Sequence, residues 1–186
     1  NKNSGCTYWT FTSAARLRNS PAFDTNMKDS IYVIDTDFGT YKIDAITGQL
    51  IWKINIPKET EWSTASASPI LIGSRLVVPL STLETVAPIN PKHECCKSSG
   101  GVALLDAKTG DIIWSHRVLE KAKYVGKVFV TQTKKFAPAG AAVWNAPGVD
   151  LVNKRIFFGT GQSTQSPASE FSDAIISIDL ETGNRI

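Results

Sequence analysis

Three segments of the sequence repeat one pattern, and this repeat restricts the fold more than any other feature does. Each has an alternating apolar run that ends in an aspartate, at Asp44, Asp106 and Asp179, followed by a turn containing Thr-Gly. The first two segments then close on an apolar run that ends in Trp52 or Trp114. Asp and Thr side chains can hydrogen-bond the nearby backbone, and glycine accepts a positive φ. Each segment therefore predicts a tight β-hairpin.

Two further β-rich runs precede each hairpin, so the repeating unit is four short strands. Four antiparallel strands at this spacing are typical of the blade of a β-propeller, and a ring takes roughly four to eight blades. A β-sandwich is the competing all-β fold, but it gives no reason for the recurring element. We therefore expect residues 1–186 to form a partial all-β propeller domain, with Trp9 as the closing tryptophan of a missing blade. The predicted repeats lie at approximately 9–52, 62–114 and 140–186.

The composition excludes several classes of function. A net charge of +3 with scattered basic residues argues against a nucleic-acid surface, and we interpret "KAKYVGK" and "TKKF" as solvated loops. No apolar run approaches the roughly 20 residues that span a bilayer. No G-x-G-x-x-G precedes a helical pattern, and no C-x-x-C-H is present. We therefore expect no transmembrane segment, no nicotinamide site and no covalent haem.

Two adjacent cysteines, Cys95 and Cys96, precede a glycine pair, and Cys6 is the only other cysteine. They could be free thiols, metal ligands, or partners in a disulfide between neighbours in sequence. Two thiolates alone do not complete a tetrahedral zinc site. A catalytic thiol would need one cysteine and a nearby base.

Together these residues resemble the pyrroloquinoline quinone (PQQ) propellers. The D-x-x-T-G-x-x-x-W element is similar to their tryptophan-docking repeat. The segments "GCTYWTFTSAARLRNSPAF", "ECC" and "AGAAVWNAPGVDLVNKRIFFGTG" look like the polyvinyl-alcohol dehydrogenase branch. The likeness covers nearly the whole chain. It implies a quinone lying flat in the propeller channel, with a calcium ion beside it.

The resemblance implies roles for individual residues in cofactor binding. Trp144, in "AVWNAP", matches the tryptophan on which the quinone lies, although it could also be a docking or core residue. Arg18 matches an arginine that pairs with a quinone carboxylate, with Arg16 as its competitor. The cysteine pair would form a disulfide ring above the quinone. Ser66 and Ser81 match hydroxyls that contact the cofactor.

The resemblance also implies a metal site. Glu84 matches the calcium-binding glutamate, and Gln162 stands where the family has a ligating asparagine. The longer glutamine side chain displaces its oxygen, which matters for a hard cation. Ser99 likewise stands where relatives carry an arginine. The proton-abstracting aspartate would lie beyond residue 186. We expect Trp144 and Glu84 to line one central pocket.

The function implied is alcohol oxidation by hydride transfer to PQQ with calcium as Lewis acid. The substrate would be a small or polymeric alcohol, and electrons would pass to a cytochrome or another acceptor. The remaining propeller blades would be further partners, and the protein would be periplasmic or secreted. The rival is a non-catalytic PQQ-like propeller that acts as an interaction scaffold, which the changes at Ser99 and Gln162 favour.

Overall fold

The structure is a computed structural model that describes residues 1–23 and 29–186. Its strands are short, as expected where turn residues recur at close intervals. The first seven are β1 (Ala22–Phe23), β2 (Ser30–Ile34), β3 (Gly39–Asp44), β4 (Leu50–Asn55), β5 (Ser63–Thr64), β6 (Ile70–Ile72) and β7 (Arg75–Thr82). The other seven are β8 (Gly101–Asp106), β9 (Ile112–Arg117), β10 (Lys123–Lys127), β11 (Lys134–Ala137), β12 (Gly148–Asp150), β13 (Arg155–Gly159) and β14 (Ile175–Asp179).

Three antiparallel sheets follow one another along the chain. The first has the order β1-β2-β3-β4. The second has the order β5-β7-β8-β9, with β6 also paired to β7. The third has the order β12-β13-β14, and an isolated antiparallel bridge between Ile178 and Arg185 begins a fourth strand. Each sheet is an up-and-down meander, which is the strand arrangement of a propeller blade.

The predicted Asp-Thr-Gly turns close the inner hairpin of each sheet. The Asp44 carboxylate accepts the backbone N–H groups of Ile46 and Thr47, at 2.9 and 2.6 Å. Asp106 and Asp179 make the same pair of contacts with their own turns. The pKa of each of these three carboxyl groups is lowered, and the largest cause is a backbone hydrogen bond from the turn.

Each tryptophan of the repeat packs on the turn of the next sheet. The indole N–H of Trp52 donates to the Ala107 carbonyl at 3.3 Å, and that of Trp114 donates to the Leu180 carbonyl at 3.1 Å. Trp9 makes the equivalent bond to the first turn, at 3.2 Å. All three rings are half-buried, because they lie at the edge between neighbouring sheets.

The turn glycine makes this packing possible. Gly183 has φ +70°, and a Cβ there would lie 2.7 Å from the Trp114 ring. Gly48, with φ +73°, has the same relation to Trp9, at 2.6 Å. Any side chain would therefore strain the backbone and displace the indole from the turn.

The sheets pack face to face, and the middle sheet is buried on both faces. Alternate residues of β7 belong to different cores, with Leu76 and Val78 facing the first sheet and Val77 facing the third. Side chains on a strand alternate between faces, so a strand between two cores must be apolar throughout. This explains the continuous apolar run "LVVPL" in the sequence.

The lysine-rich segments are not the solvated loops that the sequence suggested. They pair as the antiparallel strands β10 and β11, joined by an exposed turn. We call residues 121–135 the lysine hairpin. It is an insertion between the second and third sheets. The one helix of the described residues is a 3-10 helix at Glu84–Ile89, and no helix there is long and apolar enough to cross a membrane.

Replacing Trp114 with alanine should lower the free energy of unfolding by about 3 kcal/mol, the lower part of the range for a core aromatic, because the ring is partly exposed. Trp114→Phe retains a ring but loses the bond to the Leu180 carbonyl, and should cost about 1 kcal/mol. Urea unfolding of both variants measures these losses. An alanine variant as stable as the parent would contradict the docking role.

Candidate functional site

Three segments that carry the family resemblance lie side by side. We call residues 93–100 the disulfide loop, residues 139–147 the tryptophan segment, and residues 159–165 the glutamine turn. Gly140 forms a parallel bridge with Ser99 of the disulfide loop and an antiparallel bridge with Ser163 of the glutamine turn. Backbone bonds extend this ladder, since Ala141 N–H donates to the Gln162 carbonyl at 3.0 Å. The tryptophan segment therefore connects the other two.

Close backbone contact explains the small residues of these segments. A Cβ at Gly100 would lie 2.1 Å from the Ala141 carbonyl oxygen, and one at Gly140 would lie 2.4 Å from the Gln162 carbonyl oxygen. Gly140 also has φ +105°, which side chains rarely adopt. The run "GAA" is thus required because three backbone segments pack closely at this point, and not only because the backbone turns there.

Trp144, Arg18 and Ser66 line one open cavity of about 360 Å³, together with Leu17, Asn19, Ser20, Ala67, Ser68 and Ala146. The Trp144 ring packs against Gly161, where a Cβ would lie 2.7 Å from the indole nitrogen. The ring remains 48% exposed. We call this space the Trp144 cavity.

Ser66 contributes to this region a polar atom that has no hydrogen-bond partner among the described residues. This atom, the Ser66 Oγ, is buried. Buried hydroxyl groups are normally paired, because an unpaired one costs roughly 1–3 kcal/mol. Such an atom is suited to a ligand's hydrogen bond. Arg18 supplies a cation to the same cavity and also borders a neighbouring one of about 480 Å³, which Arg16 lines as well.

Glu84 is 1% exposed, and its carboxylate holds the disulfide loop. Oε2 accepts the backbone N–H groups of Lys97 and Ser98, each at 2.7 Å, and also the Ser98 hydroxyl. Oε1 lies 3.3 Å from His93 Nε2. The four contacts occupy most of the acceptor capacity of a carboxylate.

Cys95 and Cys96 are joined in a disulfide, and Cys6 is free and exposed. Both bonded cysteines are buried and pack against Ala139 of the tryptophan segment. Cys95 also lines a cavity of about 260 Å³, with His93 and Gln165 among its neighbours. This cavity is distinct from the Trp144 cavity.

The other predicted site residues are more scattered. Ser81 is buried within β7 opposite Thr64, and the Trp144 cavity does not include it. Gln162 is exposed and contacts the tryptophan segment through its backbone carbonyl. Glu84 lines a separate cavity of about 260 Å³, so the structure does not bring it and Trp144 into the one pocket we expected.

Sequence reasoning missed Trp62 and His93. Their rings meet edge to face at a centroid distance of 5.4 Å, and both line the cavity that holds Glu84. The Trp62 indole N–H is buried, and the described part of the chain offers it no acceptor. The available signal was that Trp62 lies outside the D-x-x-T-G-x-x-x-W element and so is not needed for docking.

A second carboxylate, Glu59, holds the next residue of the disulfide loop. Glu59 accepts the Ser99 backbone N–H at 2.7 Å and lies 3.8 Å from the Arg117 guanidinium. Burial lowers the pKa of Arg117, and the Glu59 charge acts in the opposite direction. Arg117 also donates to the Ser99 carbonyl, at 3.3 Å. The position where relatives have an arginine is thus a buried serine contacted by an arginine from β9.

Replacing Glu84 with alanine should lower the free energy of unfolding by about 3 kcal/mol, because the N–H groups of Lys97 and Ser98 lose a charged acceptor. Glu94→Ala is the matched control. That carboxylate lies in the same loop but is 40% exposed, so water screens its ion pairs and the variant should unfold close to the parent. Urea unfolding in calcium-free buffer compares the two variants. Equal stability would contradict the anchoring role.

Non-reducing peptide mapping should find Cys95 and Cys96 in one peptide that is lighter by two hydrogens, because their sulfur atoms are bonded to each other. Cys6 should react with an alkylating reagent in the folded protein, since it is exposed. A peptide that links Cys6 to either of the others would overturn this pairing, as would three alkylated thiols.

Comparison with known proteins gives matches along the whole chain. A family model described as "Outer membrane protein assembly factor BamB" matches residues 1–186. The chain is 29% identical over 189 residues to a polyvinylalcohol dehydrogenase of Pseudomonas sp, and equally to one of Sphingopyxis sp.. Each alignment covers 98% of this chain and 29% of the relative. The chain thus spans less than a third of the length of these relatives.

Among solved structures, a europium-containing methanol dehydrogenase is similar with a TM-score of 0.66 and 14% identity. The likeness covers 96% of this chain and 34% of that one. At 14% identity the match is evidence for the fold alone. It confirms the all-β, partial β-propeller architecture predicted from the repeat.

Proposed function

Because the chain belongs to the family of PQQ-type β-propellers, we propose that it is part of a PQQ-dependent alcohol dehydrogenase. The observation that carries the proposal is the Trp144 cavity. It combines a flat aromatic surface, the Arg18 guanidinium and the unpaired Ser66 hydroxyl. PQQ is flat, conjugated and anionic, so these groups fit it. The names of the two relatives, which are dehydrogenases of polyvinyl alcohol, support an alcohol as substrate.

Each residue of the cavity has a distinct binding task. Trp144 offers a ring face for stacking on a conjugated plane. The packing of the ring against Gly161 fixes the orientation of that face. Arg18 can hold a carboxylate with two parallel N–H bonds, and Ser66 can donate one more. Bound PQQ would supply the hydride acceptor that an alcohol requires.

The disulfide loop supports this arrangement from the side. It is joined through Gly140 to the segment that carries Trp144, and Glu84 and Glu59 accept its N–H groups at Lys97 and Ser99. Cys95 lines a different cavity from Trp144, so a disulfide ring above the quinone stays a prediction. A disulfide persists in oxidising compartments, which supports a periplasmic or secreted location. Electrons would leave to a cytochrome or another acceptor.

The calcium assignment fits the described residues poorly. The Glu84 carboxylate already has four hydrogen-bonding contacts, and a cation would have to displace His93 or the loop N–H groups. No cluster of three or more His, Cys, Asp or Glu side chains that could hold a metal occurs in the described residues. We therefore derive no catalytic step through calcium. Glu84 and Gln162 as metal ligands stay a prediction.

A non-catalytic interaction scaffold is the second candidate function. The description of the matching family model supports it, since that description names an assembly factor. So does the Glu84 carboxylate, which has a sufficient structural role without any metal. Such a scaffold would bind no quinone in the Trp144 cavity.

Equilibrium dialysis of the full-length protein against PQQ separates the two candidates. The dehydrogenase proposal expects saturable binding that Trp144→Ala weakens at least tenfold, because a stacked aromatic surface is lost. Trp144→Phe should weaken it less. Arg18→Gln should also weaken binding, because a charged hydrogen bond is lost. Arg16→Gln is its control, because Arg16 lines only the neighbouring cavity.

Oxidation of polyvinyl alcohol and of small primary alcohols, followed with an artificial electron acceptor, then tests the activity itself. Absence of PQQ binding by the parent protein would reject the dehydrogenase and favour the scaffold. Binding that Trp144→Ala leaves unchanged would move the cofactor to another cavity and reject the site proposed above.

A further inference from the structure

The turn of the lysine hairpin exposes apolar side chains that nothing in the function above uses. Phe129 is 91% exposed and Val130 is 85% exposed, and both lie between β10 and β11. Tyr124 and Val125 on β10 are about half exposed as well, at 56% and 48%. Single exposed apolar residues are common, but a contiguous group of them on one turn is a candidate interaction surface.

The charge of the same hairpin has one sign. Residues 121–135 contain five lysines and no aspartate or glutamate, so the segment carries +5 in a chain whose net charge is +3. Lys134 pairs with Glu94 at 3.1 Å, outside the hairpin. The lysines are Lys121, Lys123, Lys127, Lys134 and Lys135.

Hydrogen bonds hold the hairpin to the disulfide loop and to the segment before it. Phe136 exchanges backbone hydrogen bonds with the disulfide loop, donating to the Cys95 carbonyl at 2.9 Å and accepting from the Cys96 N–H at 3.4 Å. In the turn, the Thr133 hydroxyl donates to the Pro91 carbonyl at 2.8 Å. The hairpin is thus fixed while Phe129 and Val130 of the same turn remain exposed.

We propose that the lysine hairpin docks on an anionic phospholipid surface. Phe129 and Val130 would enter the acyl boundary while the flanking lysines stay among the headgroups, where their charges meet lipid phosphates. A protein partner fits the tip less well. A stable protein interface buries about 800 Å² on each side, and a phenylalanine supplies only roughly 150–250 Å². A fluid lipid interface can surround a small apolar group, whereas a protein would need a matching pocket.

Sedimentation of the full-length protein with vesicles tests this docking. Vesicles of phosphatidylcholine with about 30% phosphatidylglycerol should bind the protein at least tenfold more strongly than pure phosphatidylcholine vesicles, because the lysines require anionic headgroups. The double variant Phe129→Ser, Val130→Ser should bind at least tenfold more weakly than the parent. Lys121→Gln, Lys123→Gln and Lys127→Gln combined should bind with a similar loss. Raising the salt to about 0.5 M should weaken parent binding, because the attraction is screened.

Val152→Ser is the matched control, since Val152 is also 91% exposed but lies in the turn after β12, outside the lysine hairpin. It should bind like the parent. Circular dichroism confirms that each variant is folded. Equal binding to neutral and anionic vesicles would overturn the proposal, and so would undiminished binding by the serine double variant. Capture by polyglutamate without any capture by vesicles would overturn it in favour of an acidic protein partner.

Discussion

The contact between an indole and a glycine turn is the interaction on which the rest of the structure depends. Trp9, Trp52 and Trp114 each lie over the turn of the following sheet and donate one hydrogen bond to its backbone. The ring supplies buried area, and the N–H fixes the angle at which one sheet meets the next. Because the turn glycine has a positive φ and no Cβ, the indole comes closer than any side chain would permit.

That packing sets the position of the candidate site. When the sheets stack, the segments before β8, β12 and β14 come together, and the tryptophan segment pairs with both neighbours. The site is therefore built from backbone that already has its hydrogen bonds, and its side chains are free to face ligands. Trp144 illustrates this, since its ring is half exposed and lines the Trp144 cavity.

The sequence predicted the features that a short-range pattern controls. Asp44, its Thr-Gly turn and the closing Trp52 are local, and alternating apolar residues show a strand directly. What could not be predicted depends on contacts between distant segments. Nothing near Glu84 in sequence indicates that its carboxylate accepts N–H groups of Lys97 and Ser98, more than ten residues away. The strands of the lysine hairpin were missed for another reason. They have no buried face, so lysines stand where a half-buried strand would show alternating apolar residues.

The burial of β7 and β8 on both faces has a consequence for how the fold comes apart. A sheet in this position contributes to a different core on each face, so it gives up two cores when it leaves. The units of such an array depend on their neighbours. The disulfide loop and the β10–β11 insertion both adjoin the middle sheet. They are therefore attached to a segment that is packed on both faces, so local opening of either need not disturb the stack.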